Sequence, residues 1–520
     1  TTGEFTFTGT FDGRGYTISN LTLNGGAMFP TLMGSEASVK ADEPTTGVVR
    51  DVNFVDPVFT PSADAQGIVA GSLMYGRIIN VHVYGATISA TGNVGGLAGG
   101  EYLYSVIEGS SVNANITASE GAVGGIVAKQ GTSASVVACA FTGSISGETE
   151  VGGIVGASEE AACKVTDCHV NAAVKGQNTI GGIVGSSVRG QVARCHVQGT
   201  LEATEAATWG GGVKMGGVVG SLQPDYSSSG EVRMEEGEDP VTAQAVISGC
   251  YVNLTSMTAP TGAAQGGNYE GENDTMHRIV GYSRGNEAEQ TGEYDEEWNP
   301  IYGDLLAAED AIANNYAVST LARGNDAIAD DAASTEGASV NADEIDRSFF
   351  EDLGYEYGFD VTTPWSYTGM ANCPTLYHEG GLAIFDKSAA EVDVDEEVTI
   401  YLSLKGGVID EDALGSFSCS VSDESVLEMT GSELAGEAIA LTFKGLKEGV
   451  ATVTASVNGK EAKCVITVKP LGAVDNIAAD AARIGFDGRT ATAQGCLISV
   501  YNLAGMNVLS GIGSCDMGNL

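Results

Sequence analysis

The stretch Glu150-Val151-Gly152-Gly153-Ile154-Val155-Gly156, followed by Cys168-His169-Val170, decides the reading of this chain. A near copy, Thr179-Ile180-Gly181-Gly182-Ile183-Val184-Gly185, begins 29 residues later, and its own triplet is Cys195-His196-Val197. Further copies are Gly95-Gly96-Leu97-Ala98-Gly99, Gly124-Gly125-Ile126-Val127-Ala128 and Gly216-Gly217-Val218-Val219-Gly220. Weaker ones stand at Gln66-Gly67-Ile68 and Arg278-Ile279-Val280. The second glycine falls at 67, 96, 125, 153 and 182, in steps of 29, 29, 28 and 29 residues, and then at 217. The triplet leads at 81, 110, 139, 168 and 195, and its column extends back to Val52 and Leu21 and forward to Asn315. This gives nine candidate coils between about residues 5 and 320.

Each repeat holds short runs of alternating polarity separated by glycine turns, and no helical pattern of ten residues or more, so helical repeat folds fit badly. One repeat cannot bury its apolar side alone. Stacked repeats can, if each strand pairs in parallel with its equivalent about 4.8 Å away. The expected fold is all-β: a parallel β-helix (solenoid) over 1–380, an Ig-like β-sandwich and a short β appendage. Ile126, Ile154 and Ile183 should share one inward ladder. The paired glycines should serve either positive φ or close backbone approach at a corner.

Composition narrows the function. Acidic residues number 68 against 24 basic, for a net charge of −44. Such a surface repels phosphates, which argues against nucleic acid and anionic membrane as partners. Apolar residues make up 43%, enough for a core, and no run of 18 apolar residues suits a spanning helix. The ten Cys in 520 residues are too sparse for a disulfide scaffold. The opening TTGEFTFTGT lacks the basic and apolar regions of a leader, so a secreted form is expected to have lost its own.

Punctuation changes along the chain. The repeats break at about 222–245 and 257–310, where polar insertions are expected to form loops on one face. Over 381–470, strand-like runs such as Val398–Leu404, Ala438–Phe443 and Val450–Val457 recur every 10–15 residues, the spacing of a sandwich. Residues 471–520 form a third segment.

The repeats resemble the GLUG repeat of secreted and surface-anchored bacterial proteins, with Gly152-Gly153-Ile154-Val155-Gly156 at its core. Phe11-Asp12-Gly13-Arg14-Gly15-Tyr16-Thr17-Ile18 resembles the coil that often precedes such repeats, and Trp365 to Leu376 the coil that closes them. Phe443-Lys444-Gly445-Leu446-Lys447-Glu448-Gly449-Val450 and Ser422-Asp423-Glu424-Ser425-Val426-Leu427 resemble the bacterial Ig-like domain of surface adhesins. Leu497-Ile498-Ser499-Val500-Tyr501-Asn502-Leu503-Ala504-Gly505 resembles a type IX secretion sorting domain, although the sequence reaches Leu520 without that family's final Gly-Tyr strand. These resemblances imply a non-enzymatic adhesin or scaffold, secreted or on the outer surface of a Gram-negative bacterium. Its partner would be an extracellular protein or a glycan. The competing class is a β-helix carbohydrate-active enzyme, a polysaccharide lyase or hydrolase.

Candidate chemistry is thin. There is no His-Glu-x-x-His zinc motif. Cys139, Cys168 and Cys195 should stack one coil apart, and a ladder of buried free thiols is favoured. A zinc site is one alternative. The other is disulfide pairing, including with Cys163 or Cys373; Cys419 with Cys464, and Cys496 with Cys515, are further pairs. Asp393, Asp395, Glu396 and Glu397 could bind calcium but lack EF-hand spacing; a solvated turn is favoured and no cofactor is expected. No catalytic residue is singled out. Of Trp209, Trp298 and Trp365, Trp298 in an acidic insertion is the weak candidate for ligand binding, while Trp365 is expected to pack the closing coil. Strand alternation puts Cys168 inward and His169 outward. Cys168→Asp should then expose residues near 140–195 to protease, whereas His169→Asp should be nearly neutral.

Overall fold

The computed structural model describes residues 5–62, 64–160, 162–188, 190–204, 212–223, 246–260, 275–283, 290–294, 300–302, 312–321, 328, 330–367, 373–379, 381–405, 409, 416–470, 484–486, 490–501 and 507–516. The chain divides into two compact units, Thr1–Leu382 with Lys405–Val408, and Ala383–Leu404 with Ile409–Leu520. Both are almost entirely β. Among the described residues the only helices are Glu36–Val39 and Arg347–Asp352.

The N-terminal unit is made of long parallel sheets. One has nine strands, from Thr6–Phe7 through Val127–Gln130, Val155–Ser158 and Val184–Val188 to Val280–Ser283. A six-stranded sheet includes Ala122–Gly124, Glu150–Gly152 and Thr179–Gly181. A third contains Ala140–Ser146, His169–Gly176, His196–Ala203 and Tyr251–Thr258. Neighbours lie one repeat apart: Val127 pairs with Val155 and Val155 with Val184, while Ala140 pairs with His169 and His169 with His196. The sequence period is therefore the register of the sheets.

That register aligns like with like. Ile126 N donates to the Ile154 carbonyl, and Ile154 N to the Ile183 carbonyl, each at 2.9 Å. All three side chains are fully buried in one continuous cluster. Each such burial stabilises by about 1.5–3 kcal/mol. The glycine pairs answer to close approach and not to positive φ. A Cβ on Gly153 would meet the Gly182 carbonyl oxygen at 2.1 Å and both Val170 methyls at 2.8 Å. Left-handed backbone falls elsewhere, on one column of Asp51, Asn80, Ala138, Asp167 and Arg194 and on a corner column of Tyr75, Tyr104, Ser133 and Ala162, the latter with φ between +50° and +61°.

The first repeat departs from the expected spacing. Ile18 pairs with Phe54, and Thr22 with Val58, so Leu21 does not precede Val52 in the triplet column. The short helix Glu36–Val39 and its flanks lengthen this turn and shift the register. Of the two expected insertions, 224–245 lies outside the described residues. The stretch 257–310 is interrupted by Thr275–His277 and Val280–Ser283, which rejoin the sheets.

The C-terminal unit contains two four-stranded sheets. One runs Leu382–Phe385, Glu397–Lys405, Ala438–Gly445, Leu427–Ala435; the other runs Ala389–Asp393, Lys460–Lys469, Gly449–Val457, Ser418–Val421. Ile400, Leu402 and Phe443 of the first share a buried cluster with Val453 and Ile466 of the second. Ile484–Phe486, Thr490–Tyr501 and Asn507–Asp516 form an antiparallel three-stranded sheet.

Gly153→Ala should lower the stability of the N-terminal unit by about 1–3 kcal/mol, because the obstructing atom is backbone. Gly431→Ala, where nothing lies within 4 Å of the new carbon, should stay within about 0.5 kcal/mol. Calorimetric unfolding of the two variants checks the contrast.

Candidate functional site

Strand alternation places the cysteines and histidines on opposite faces of one sheet. Inward, Cys139, Cys168, Cys195 and Cys250 are fully buried. Each thiol reaches the carbonyl two residues back, from Cys168 Sγ to Thr166 O at 3.3 Å for instance, and more distantly a carbonyl of an earlier repeat, Val136 O at 3.8 Å. Burial pushes all four thiols up, so they stay protonated. Cys163 donates instead to the Gly131 carbonyl at 3.0 Å, and burial pushes its thiol up to about 12. Cys373 takes no place in the column and accepts a bond from Asn253. These thiols are free, as are Cys419 and Cys464. The latter two sit on strands separated by Gly449–Val457, opposite Ala455 and Val453 respectively, too far apart to bridge. The side chains of Cys496 and Cys515 lie outside the described residues.

The outward face is covered, which corrects the expectation of an exposed His169. His169 is only 3% exposed and His196 is fully buried. A strap of residues 345–367 and 373–379 lies over them, contributing Phe350, Leu353, Tyr355, Trp365 and Leu376 to a separate core with Tyr251 and Ala140. His169, His196 and Tyr251 occupy the same register position in three successive strands. Their rings stack, His169 on His196 at 4.9 Å and His196 on Tyr251 at 5.3 Å between centroids. His169 Nδ1 donates to the Glu379 carboxylate at 2.8 Å and its Nε2 faces Gln198 Oε1 at 3.3 Å. Burial opposes charge on His169, but the Glu379 carboxylate outweighs it and holds the ring above its ordinary pKa. His196 has no such partner: Nδ1 donates to the Pro374 carbonyl at 3.3 Å, and Nε2 meets no hydrogen-bonding group. Burial, and then the neighbouring His169, hold it well below the ordinary value. Trp365 packs the closing segment as expected. It is fully buried and donates to Asp167 Oδ1 at 3.1 Å, and Asp167 is paired in turn with Arg194. His169→Asp would put a carboxylate against Glu379 and cannot be neutral.

A second polar column lies inward in the nine-stranded sheet. Glu101, Gln130, Ser158 and Ser187 hold one register position. Glu101 Oε2 accepts from Gln130 Nε2 at 2.9 Å, and Gln130 Oε1 from Ser158 Oγ at 2.8 Å. Burial raises the Glu101 carboxyl well above its usual range.

Open to solvent, a groove runs along the left-handed corner, lined by Val39, Lys40, Tyr104, Val106, Ser133, Ser135, Ala162 and Lys164. Tyr75 stacks on Tyr104 at 6.2 Å, and the Lys40 ammonium lies 4.8 Å from the Tyr104 ring centre. Sequence reasoning passed over this groove, although Tyr75 and Tyr104 sit 29 residues apart. Trp298 and Trp209 lie outside the described residues. Among the described residues no group of three or more His, Cys, Asp or Glu side chains is placed to hold a metal ion, and no helix is long and apolar enough to cross a membrane. Asp395 is near Lys444 at 3.5 Å.

No family model matches the chain, and no curated protein matches it. Solved structures give faint likenesses. Domains 4 and 5 of the S-layer protein SbsC are 18% identical over 18% of this chain and 50% of that one, with a TM-score of 0.15. Domains 1–6 of the same surface layer protein are 17% identical over 28% and 19%, with a TM-score of 0.16. The M1 domain from titin is 11% identical over 18% and 95%, with a TM-score of 0.12. The chain spans half or less of these two surface-layer structures, and scores this low establish neither fold nor function.

The buried thiols should be inert. In the native protein, Cys139, Cys168, Cys195 and Cys250 should escape iodoacetamide at pH 8 and react fully in urea, as read by peptide mapping.

Proposed function

We propose that the protein is a non-enzymatic adhesin or scaffold, secreted or displayed on a bacterial surface. In this reading the N-terminal unit is a parallel β-helix of GLUG type and 381–470 an Ig-like sandwich. The segment 471–520 is a sorting-domain-like appendage. The observation that carries the proposal is the one-repeat register of the parallel sheets through the central strands. Such a stack is an extended scaffold whose corners repeat side chains at fixed intervals, suited to holding a long ligand. The groove at Lys40, Tyr104 and Lys164 is the surface we assign to that ligand, a glycan. Its aromatic ring, two ammonium groups and the Ser133 and Ser135 hydroxyls are the chemistry that sugars engage.

The enzyme alternative has less support. Glycoside hydrolysis generally uses two carboxylates facing one open site. The buried carboxylates described in the N-terminal unit have structural partners, Glu108 with Arg77, Asp167 with Arg194, Glu336 with Arg278 and Glu101 with Gln130, and the half-buried Glu379 has His169. Mixed pairs of this kind hold neighbouring strands together.

A glycan and matrix-protein array with the full chain tests the proposal. Binding to a glycan is expected, reduced at least tenfold by Tyr104→Ala or by Lys164→Glu, with no release of reducing sugar. Glycan cleavage would establish the enzyme class instead, and no binding to any arrayed ligand would remove the adhesin reading.

A further inference from the structure

The chain has five histidines, and four of them lie between the third sheet and the strap that covers it, as two pairs of neighbouring rings. His82, His169 and His196 stand on the outward face of the third sheet, and His378 comes from the strap that covers it. His378 Nε2 donates to the Ala138 carbonyl at 2.8 Å, and its ring lies 5.2 Å from that of His82. Histidine is the side chain whose ordinary titration falls between pH 5 and 8. Concentrating histidines between a sheet and its cover makes the contact sensitive to that range.

We propose that residues 345–367 and 373–379 form a pH-gated strap, clamped over the His169–His196–Tyr251 column near pH 6.5 and loosened on either side of it. The geometry assigns opposite roles to the two stacked rings. Both His169 nitrogens face acceptors, Glu379 from the strap and Gln198 from the next strand, so the docked ring carries a proton on each. His196 is fully buried with one nitrogen bonded to Pro374 O and the other facing no acceptor, so the docked ring is neutral. A second charge there would sit 4.9 Å from the His169 imidazolium, with no carboxylate beside it.

His82 stands three strands from His169 in the register, with His378 of the strap packed against it and bonded to the Ala138 carbonyl. The remaining groups around the rings leave this assignment intact. From the sheet, Asp167 and Arg194 neutralise each other in a two-bond pair, and Tyr251 stacks on the far side of His196. From the strap, the Phe350 ring lies tilted beside His196, 6.1 Å between centroids, while Arg347 and Glu351 of the same helix pair with each other at its exposed side. Tyr355 and Tyr377 are pushed up by burial, and Cys373 is pushed up to about 11, so all three are neutral between pH 5 and 8.

The direction of each limb follows from linkage. Docking holds His169 above its ordinary 6.5, so this contribution is complete below pH 6.5 and is lost as pH rises through the docked value. Docking holds His196 well below 6.5, so its contribution is complete above 6.5 and is lost as pH falls toward the docked value. Glu379 lies below its ordinary 4.5, which adds a second acid limb at lower pH. Closure is therefore favoured most near pH 6.5. Within each limb the closing equilibrium changes by about tenfold per pH unit while one proton is exchanged.

Hydrogen exchange of the full chain from pH 5 to 8.5, corrected for intrinsic rates, tests this. Protection of peptides within 345–367 and 373–379 should peak near pH 6.5, while peptides from 150–158 and 179–188 stay unchanged. His196→Phe, which keeps a stacked ring, should erase the acid limb above pH 5. Glu379→Gln should flatten the alkaline limb. A strap whose protection is flat across the range in the unaltered protein overturns the proposal, whether or not the variants fold. So does an acid limb that survives His196→Phe.

Discussion

Everything in the N-terminal unit depends on backbone approaching backbone at the glycine pairs. Gly153 lies so near the Gly182 carbonyl that a single added carbon would stand 2.1 Å from its oxygen. The same contact recurs as Gly125 against Gly153 and Gly182 against Gly217, at 2.1 and 2.0 Å. Only at that separation do neighbouring strands on both sides of the corner pair in register. Once the corner is fixed, the rest of the repeat has little freedom. Because side chains alternate with period two, each position is committed to the interior or the exterior in every repeat at once. Hence Cys139, Cys168, Cys195 and Cys250 all face in, and Ala140, His169, His196 and Tyr251 all face out.

This explains what the sequence made legible. The Gly-Gly-Ile-Val-Gly period gave the pairing of Val127, Val155 and Val184, because an in-register parallel sheet transmits sequence spacing directly into strand pairing. The alternation gave the faces of Cys168 and His169. The column failed at Leu21, where the helix Glu36–Val39 inserts extra chain between the first repeats, so constant spacing no longer measures register. The cover over His169 was not legible for a different reason. Glu379 lies 210 residues further along the chain and outside the repeat, where no period connects the two. Trp365 was placed correctly only as packing; its bond to Asp167 spans 198 residues and has no local signal. The groove failed to stand out because Lys40, Tyr104 and Lys164 come from different repeats and an insertion.

The two polar columns show how one architecture handles buried polarity in two ways. Inside the sheets, Glu101, Gln130 and Ser158 form a chain of hydrogen bonds along the stack, and burial favours the neutral carboxyl. Stacking equivalent strands makes this possible, since Gln130 finds a partner one repeat away on either side, in Glu101 and Ser158. Outside the third sheet, His169 meets Glu379 as a charged pair. A buried pair adds little net stability after desolvation, but breaking it by removing one partner is costly. It therefore contributes more to where the strap docks than to how strongly it is held.

The energy of docking must then come mainly from the apolar surface beside the pair. Phe350, Tyr355 and Trp365 are fully or almost fully buried, and Tyr251 is buried with them. At about 1.5–3 kcal/mol for each large side chain, a few such residues supply enough to hold the strap closed. That sum does not itself select one position along the sheet, because Ala140, Tyr251 and Tyr316, at one register position in different strands, all pack into the same apolar cluster. Selection falls to the directional contacts: Glu379 on His169, Pro374 O on His196, Trp365 on Asp167 and His378 on the Ala138 carbonyl. The repeat that makes the sheet regular would also make it ambiguous as a docking face. The histidines break that ambiguity, because side chains that differ between repeats at one register position can mark a single place on a periodic surface.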